Sequence, residues 1–344
     1  MKKYLVCIAL VFCICMLYCV QAVGAGDDAG QLRGQIETAA GLALLDLPQW
    51  QYINATKPNS HSIYGNPVID QELLRQQIVR VILDNRLEMV PPLRFRLERP
   101  PCLLVVSPRD RIQYLDRVLL TPDLTSEQMA AIESSVDKLG LSSLVVQLGG
   151  LGAAFPAIVS PEMGTRQVIN AVVEEWAHQF LALRPLGALY LLDCLGIRQP
   201  PDIIIMNETL AGIMADEIGG RVYQLYYKDT DLDSKTPAGD IDFSFEMRNT
   251  RRTVDMLLRA GEIAAAEQYM EMRQEFFTGH GYSIRKLNQA YFAFHGIYGD
   301  DPGAASPVHD ELKALRSRYA TLAGFVNDVS GMTDHRQLRE AAAF

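Results

Sequence analysis

Apolar positions along this chain fall into short runs and helical repeats that change character near residue 100. From 26 to 34 the chain is polar, and from there to residue 100 short helical patterns are interrupted by proline and asparagine. The clearest helix in that region spans residues 71–83, where Leu73, Leu74, Ile78, Val81 and Ile82 recur at helical spacing and Pro91 with Pro92 ends the pattern. Cys102 to Val106 is a short β-branched run closed by Ser107 and Pro108, which predicts a strand. Thr125 and Gln128 have capping-box spacing and open a helix expected to run to residue 139. Runs at 144–148 and 155–160 flank Gly149, Gly150 and Gly152, and predict two strands joined by a glycine turn. A helix over 164–183 follows, stopped by Pro185, and a second is expected to begin at Asn207 and reach residue 227. Residues 228–242 are polar, acidic and aperiodic, the pattern of a surface loop. Further helices are predicted over 245–260, 263–278, 284–298 and 307–326. Strands followed by helices predict an α+β fold: an amino-terminal region over 26–100, a core over 101–227, and a helical carboxy-terminal lobe over 228–344.

The first residues form a unit of their own. Lys2 and Lys3 precede residues 4–20, which contain no charge, proline or glycine. The apolar stretch reaches about residue 23, close to the ~20 residues of a spanning helix. Ala22, Gly24 and Ala25 resemble a signal-cleavage site, so residues 1–25 fit either a signal peptide or a retained membrane anchor. Lysines before the segment and Asp27 with Asp28 after it predict an extracytoplasmic body, secreted or membrane-anchored. Cys7, Cys13, Cys15 and Cys19 lie inside that segment, which leaves Cys102 and Cys194 either to pair or to remain buried thiols.

Composition narrows the partners. With 49% hydrophobic and 21% charged residues among 344, the chain carries enough apolar material for a large core. A formal charge of −9 argues against a nucleic-acid partner, which requires a basic face to neutralise phosphates, and Arg248, Arg251 and Arg252 at helical spacing read as a solvated face.

Candidate chemistry concentrates on the helix over 164–183. Glu174 and His178 stand four residues apart and therefore share a face, with Glu175 beside them. Metallopeptidases of the HExxH type place two histidines at this spacing around a glutamate that serves as base. Here the first position is a glutamate. Glu208, beside Asn207, offers an acid on a separate helix; the alternative is that Asn207 or Thr209 caps that helix and Glu208 favours its dipole. Glu217 lies roughly half a turn around from Glu208, at the position of an outer supporting or structural acid. On the late helix Asn288, Tyr291 and His295 share a face, and either Tyr291 or His295 is a candidate oxyanion donor; core packing is the alternative.

Four stretches occur in order: Val172 to Phe180, Arg184 to Gly187, Met206 to Thr209, and Leu287 to Phe294. Together they resemble an uncharacterised bacterial family of gluzincin-like predicted metallopeptidases or aminopeptidases, over roughly residues 101–329. The resemblance implies a zincin-like fold with a small sheet, a metal helix and a helical lobe. It implies zinc held by His178, Glu208 and the departing Glu174, Glu175 as base, Asn207 in support, and a peptide or protein substrate. A second carboxylate ligand donates more charge than histidine would, so the alternative is an inactive relative that binds peptides or envelope partners through the same cleft. A purely structural envelope protein is the third reading and predicts no metal.

Overall fold

In the computed structural model the described residues are 27–57, 70–194, 197, 199–229, 241–298, 301 and 306–343. The expected export segment and most of the 228–242 loop lie outside them. Among the described residues no helix is long and apolar enough to cross a membrane.

The chain is α+β, with two three-stranded sheets among helices. Helices α1 (Asp27–Ala40), α2 (Leu47–Thr56) and α3 (Gln71–Asp84) come first, and α3 matches the helical spacing of its apolar residues. Strand β1 (Phe95–Leu97) precedes β2 (Cys102–Pro108), β3 (Asp116–Leu120), α4 (Ser126–Asp137) and β4 (Leu141–Gln147). Strands β2, β3 and β4 form one antiparallel sheet in the order β3-β2-β4. Its two faces follow the period-two alternation of side chains. Cys102, Leu104, Val106 and Val145 pack on one side with α1 and α4, while Val105 and Leu144 pack on the other. The capping box at Thr125 is present, with the Gln128 side chain accepting from the Thr125 N–H at 2.8 Å.

The expected hairpin across Gly149–Gly152 does not form. Strand β4 pairs with β2 in the first sheet, whereas β6 (Ala157–Val159) belongs to a second sheet of order β1-β6-β5, parallel to β1 and antiparallel to β5 (Gly150–Leu151). The glycine segment is thus itself a short strand at the edge of the second sheet. Glycine and a run of apolar residues predict strands locally, but the partner of each is decided by distant segments such as β1.

Helix α5 (Thr165–Leu181) runs from the second sheet into α6 (Pro185–Cys194), then α7 (Pro201–Tyr226). Two boundaries differ from expectation for one reason: proline at the first helical position starts a helix as readily as it stops one. Pro185 opens α6, and Pro201 opens α7 six residues before Asn207. Helices α8 (Phe243–Arg259) and α9 (Ile263–Gly279) pack together around Met247, Val254, Met270 and Phe277. The helix expected over 284–298 is shorter, α10 (Gln289–His295), because Asn288 caps it by accepting from the Tyr291 N–H at 2.9 Å. The single helix expected over 307–326 is two, α11 (Val308–Arg316) and α12 (Leu322–Ser330), followed by α13 (His335–Ala343).

The largest core crosses the expected divisions at 101 and 228. It joins Leu74 and Ile78 of α3, Val172 and Trp176 of α5, Met214 of α7, and Leu312, Phe325 and Leu338 of the last three helices.

Candidate metal centre

Burial fixes how α5 presents its polar residues. Val168, Ile169, Val172, Val173, Trp176 and Phe180 are all buried, and the Trp176 indole donates to the Pro91 carbonyl at 3.0 Å. With that side committed to the core, Glu174 and His178 face α6 and α7, and Glu175 lies against the glycine strand β5.

Helix α7 supplies the opposing groups from its interior. Because it starts at Pro201, Asn207, Glu208 and Thr209 lie two turns inside it, at 1%, 5% and 4% exposure. None of them caps the helix, so the alternative reading of Glu208 as a first-turn acid does not hold. The Glu208 Oε2 approaches His178 Nε2 to 3.4 Å, and Glu208 Oε1 accepts from the Tyr190 hydroxyl at 2.8 Å. The Tyr190 ring also stacks on His178, with centroids 5.7 Å apart. Asn207 Oδ1 sits 3.0 Å from His178 Nδ1, which directs that N–H to the amide and aims Nε2 at the carboxylates.

Ligand-type atoms of Glu174, His178 and Glu208 lie within 4.8 Å of one another. Hard oxygen donors with one imidazole nitrogen fit a divalent cation, and the carboxylates of Glu174, Glu175 and Glu208 against one histidine leave negative charge that a cation would balance. Nothing in the geometry identifies which metal. The titration of the groups reflects the same imbalance. Burial disfavours charge on His178, but Glu208 first, then Glu175 and Glu174, outweigh it and raise the imidazole to about 10. Burial would raise Glu208, yet His178, the Tyr190 hydroxyl and Arg117 hold it below the usual carboxylate range. Glu175 is pushed up to about 8, chiefly by burial and against the pull of His178, with Glu174 and Glu208 adding to the rise.

Glu175 is held from above by backbone. A Cβ at Gly150 would overlap the Glu175 carboxylate, and one at Gly152 would lie 2.7 Å from Oε2 and 2.9 Å from the Glu175 carbonyl. Gly152 also donates its N–H to that carboxylate. At Gly152 close approach to backbone requires glycine, whereas a side chain at Gly150 would displace the Glu175 carboxylate.

Glu217 and His295 are engaged by other partners. Glu217 gives both carboxylate oxygens to Arg316, at 2.6 and 2.8 Å, and ties α7 to α11 instead of supporting the cluster. Tyr291 and His295 stack at 4.1 Å, and His295 Nδ1 is bonded to Asp301 Oδ2 at 2.8 Å. A second tyrosine under the influence of the cluster, besides Tyr190, is Tyr298, three residues beyond His295. Its hydroxyl is kept protonated by burial and by the Glu208, Glu174 and Glu175 carboxylates. Cys102 is a buried free thiol, raised by desolvation; the side chain of Cys194 lies outside the described residues.

Sequence reasoning missed Tyr190, Tyr298, Arg117 and the two glycines. Tyr190 had a signal, since Pro185 at a helix start followed by an apolar run predicts a helix carrying it beside the motif. Compared with protein-family models, curated proteins and solved structures, the chain matches none.

Proposed function

We propose that this chain is a metal-dependent peptide hydrolase that works outside the cytoplasm. The observation that carries the reading is the convergence of Glu174, His178 and Glu208 within 4.8 Å, with Glu175 alongside. The zincin-type fold and zinc as the ion are part of the proposal, supported by the i, i+4 motif on α5 and the acid on a second helix. A divalent ion there would supply Lewis acidity, polarising a scissile carbonyl and acidifying water.

The chain's own residues divide the remaining work. His178 through Nε2, Glu208 and Glu174 would hold the ion; Asn207 fixes the imidazole tautomer and Tyr190 orients the Glu208 carboxylate. Glu175 takes a proton from the attacking water and returns it to the departing amine, a transfer favoured by a carboxylate pKa lifted toward neutrality. A peptide is favoured as substrate because β5 is an edge strand lying directly over Glu175, and an extended chain adds to such an edge through its backbone.

A second reading has its own support. Glu208 and His178 already satisfy each other, with Tyr190 and Asn207 completing the network, as they would in an inactive relative that binds peptides without a metal. Hydrolysis of a peptide library by the metal-loaded intact chain separates the two. Cleavage that a chelator removes and re-added metal restores supports the hydrolase. No cleavage of any peptide with metal supplied leaves the binding protein.

A further inference from the structure

The outward face of α8 is unlike the rest of this acidic molecule. At 100° per residue, Phe245, Arg248, Arg252, Met256 and Arg259 fall on one stripe roughly 80° wide. The opposite side buries Met247, Thr250, Val254 and Leu258 in the core shared with α9. On the outer stripe Phe245 is 54% and Met256 62% exposed, large values for apolar side chains. Arg248, Arg252 and Arg259 are exposed and form no ion pair among the described residues, whereas Arg251 behind them is paired with Asp255 at 3.0 Å. The arginines line an open cleft of about 570 Å³ together with Asp255 and Asp310, so four guanidiniums meet two carboxylates in a chain of net charge −9.

We propose that this face docks on an anionic lipid surface, with phosphate headgroups against the arginines and Phe245 and Met256 entering the interface. Arginine alternating with large apolar side chains on one helix face is the pattern of interfacial helices, because headgroup phosphates attract the cations while the acyl boundary accepts the apolar groups. A nucleic acid would use the charges and leave Phe245 and Met256 in water. An acidic protein segment would match the charges too, but the uncharged residues 4–20, expected to reach a membrane, bring the lipid surface within range of this chain. The docking is independent of the metal centre, since no residue of the stripe belongs to it.

The test is co-sedimentation of the full-length chain with phosphatidylcholine vesicles, alone and with about 30% phosphatidylglycerol, at about 50 and 200 mM salt. The readout is the gain caused by the anionic lipid, compared among variants that all share the amino-terminal segment with Lys2 and Lys3. The gain is expected to be about tenfold or more at low salt, to fall at high salt, and to vanish in Arg248→Glu/Arg252→Glu/Arg259→Glu. Phe245→Ser/Met256→Ser, with unchanged charge, is expected to lower it severalfold. Arg94→Glu/Arg221→Glu/Arg339→Glu makes the same change in net charge at exposed positions off the stripe and is expected to keep the gain. The proposal is overturned if wild type shows no gain, or if the off-stripe variant loses it equally. It is also overturned if about 10 mM inorganic phosphate abolishes the gain while Phe245→Ser/Met256→Ser leaves it intact, which would make the cleft a small-anion site, or if a polyglutamate peptide competes as well as the vesicles do.

Discussion

Tyr190 bonds Glu208 through a single hydroxyl, and Asn207 bonds His178 through a single amide oxygen, so each can be removed without touching a metal ligand. Tyr190→Phe keeps the stacked ring and loses only the hydrogen bond; divalent-metal affinity is expected to fall about 10–100-fold, as measured by titration calorimetry. Glu175→Gln removes the proton acceptor while leaving the three ligand side chains in place. Peptide hydrolysis is expected to drop about 10²–10⁴-fold with metal affinity nearly unchanged, and a loss below tenfold would assign the base elsewhere. Glu174→His rebuilds a two-histidine grip on the same helix face and removes one negative charge, so zinc affinity measured by competition with a chromogenic chelator is expected to increase. An unchanged or lower affinity would mean that Glu174 does not face the ion. At this scale the sequence was most informative: the i, i+4 spacing of Glu174 and His178 needs only helical geometry, and Glu208 needs only a second helix nearby. Tyr298 and Arg117 were not legible, because their closeness to the carboxylates depends on how α10 and β3 pack, and no local pattern encodes that.

Elements meet closely where glycine allows it. The corner between α5 and α6 depends on Gly187, where a Cβ would overlap the Leu181 carbonyl and would lie 2.5 Å from the Ala182 nitrogen. Backbone cannot yield as a flexible side chain does, so Gly187→Ala is expected to destabilise the fold by about 1–3 kcal/mol in chemical unfolding and to displace Tyr190 on the same helix. A stability equal to wild type would show that the corner is looser than described. Helix boundaries were the least legible feature of the sequence. Pro185 and Pro201 open helices, while Pro91 and Pro92 follow the end of α3, and proline alone does not distinguish the two uses. The neighbouring signal that separates them at Pro201 is Asp202, an acid in the first turn.

Across the whole molecule, a buried ion pair joins the segment before α10 to the first sheet and its helix. Glu133 of α4, 3% exposed, accepts from the Val145 N–H at 2.6 Å and from Arg285 at 2.5 and 2.9 Å. Arg285→Ala strands a buried carboxylate, although Lys286 at 3.8 Å remains beside it, so the expected cost is about 2 kcal/mol in equilibrium unfolding. No measurable change would mean that water already reaches Glu133. The α+β class was legible because strand-like runs precede long helical repeats. The assignment of strands to sheets was not, since β1 at residues 95–97 pairs in parallel with β6 some sixty residues later, a contact set by the folded chain.

The hydrolase proposed above depends on Glu174, His178 and Glu208 forming one metal site. Calorimetric titration of the metal-stripped intact chain with zinc, beside the His178→Ala variant, tests it most directly. Close to one ion per wild-type chain is expected, with an affinity at least about 100-fold weaker in His178→Ala. Wild type that binds no ion, or His178→Ala that binds as tightly as wild type, would contradict it.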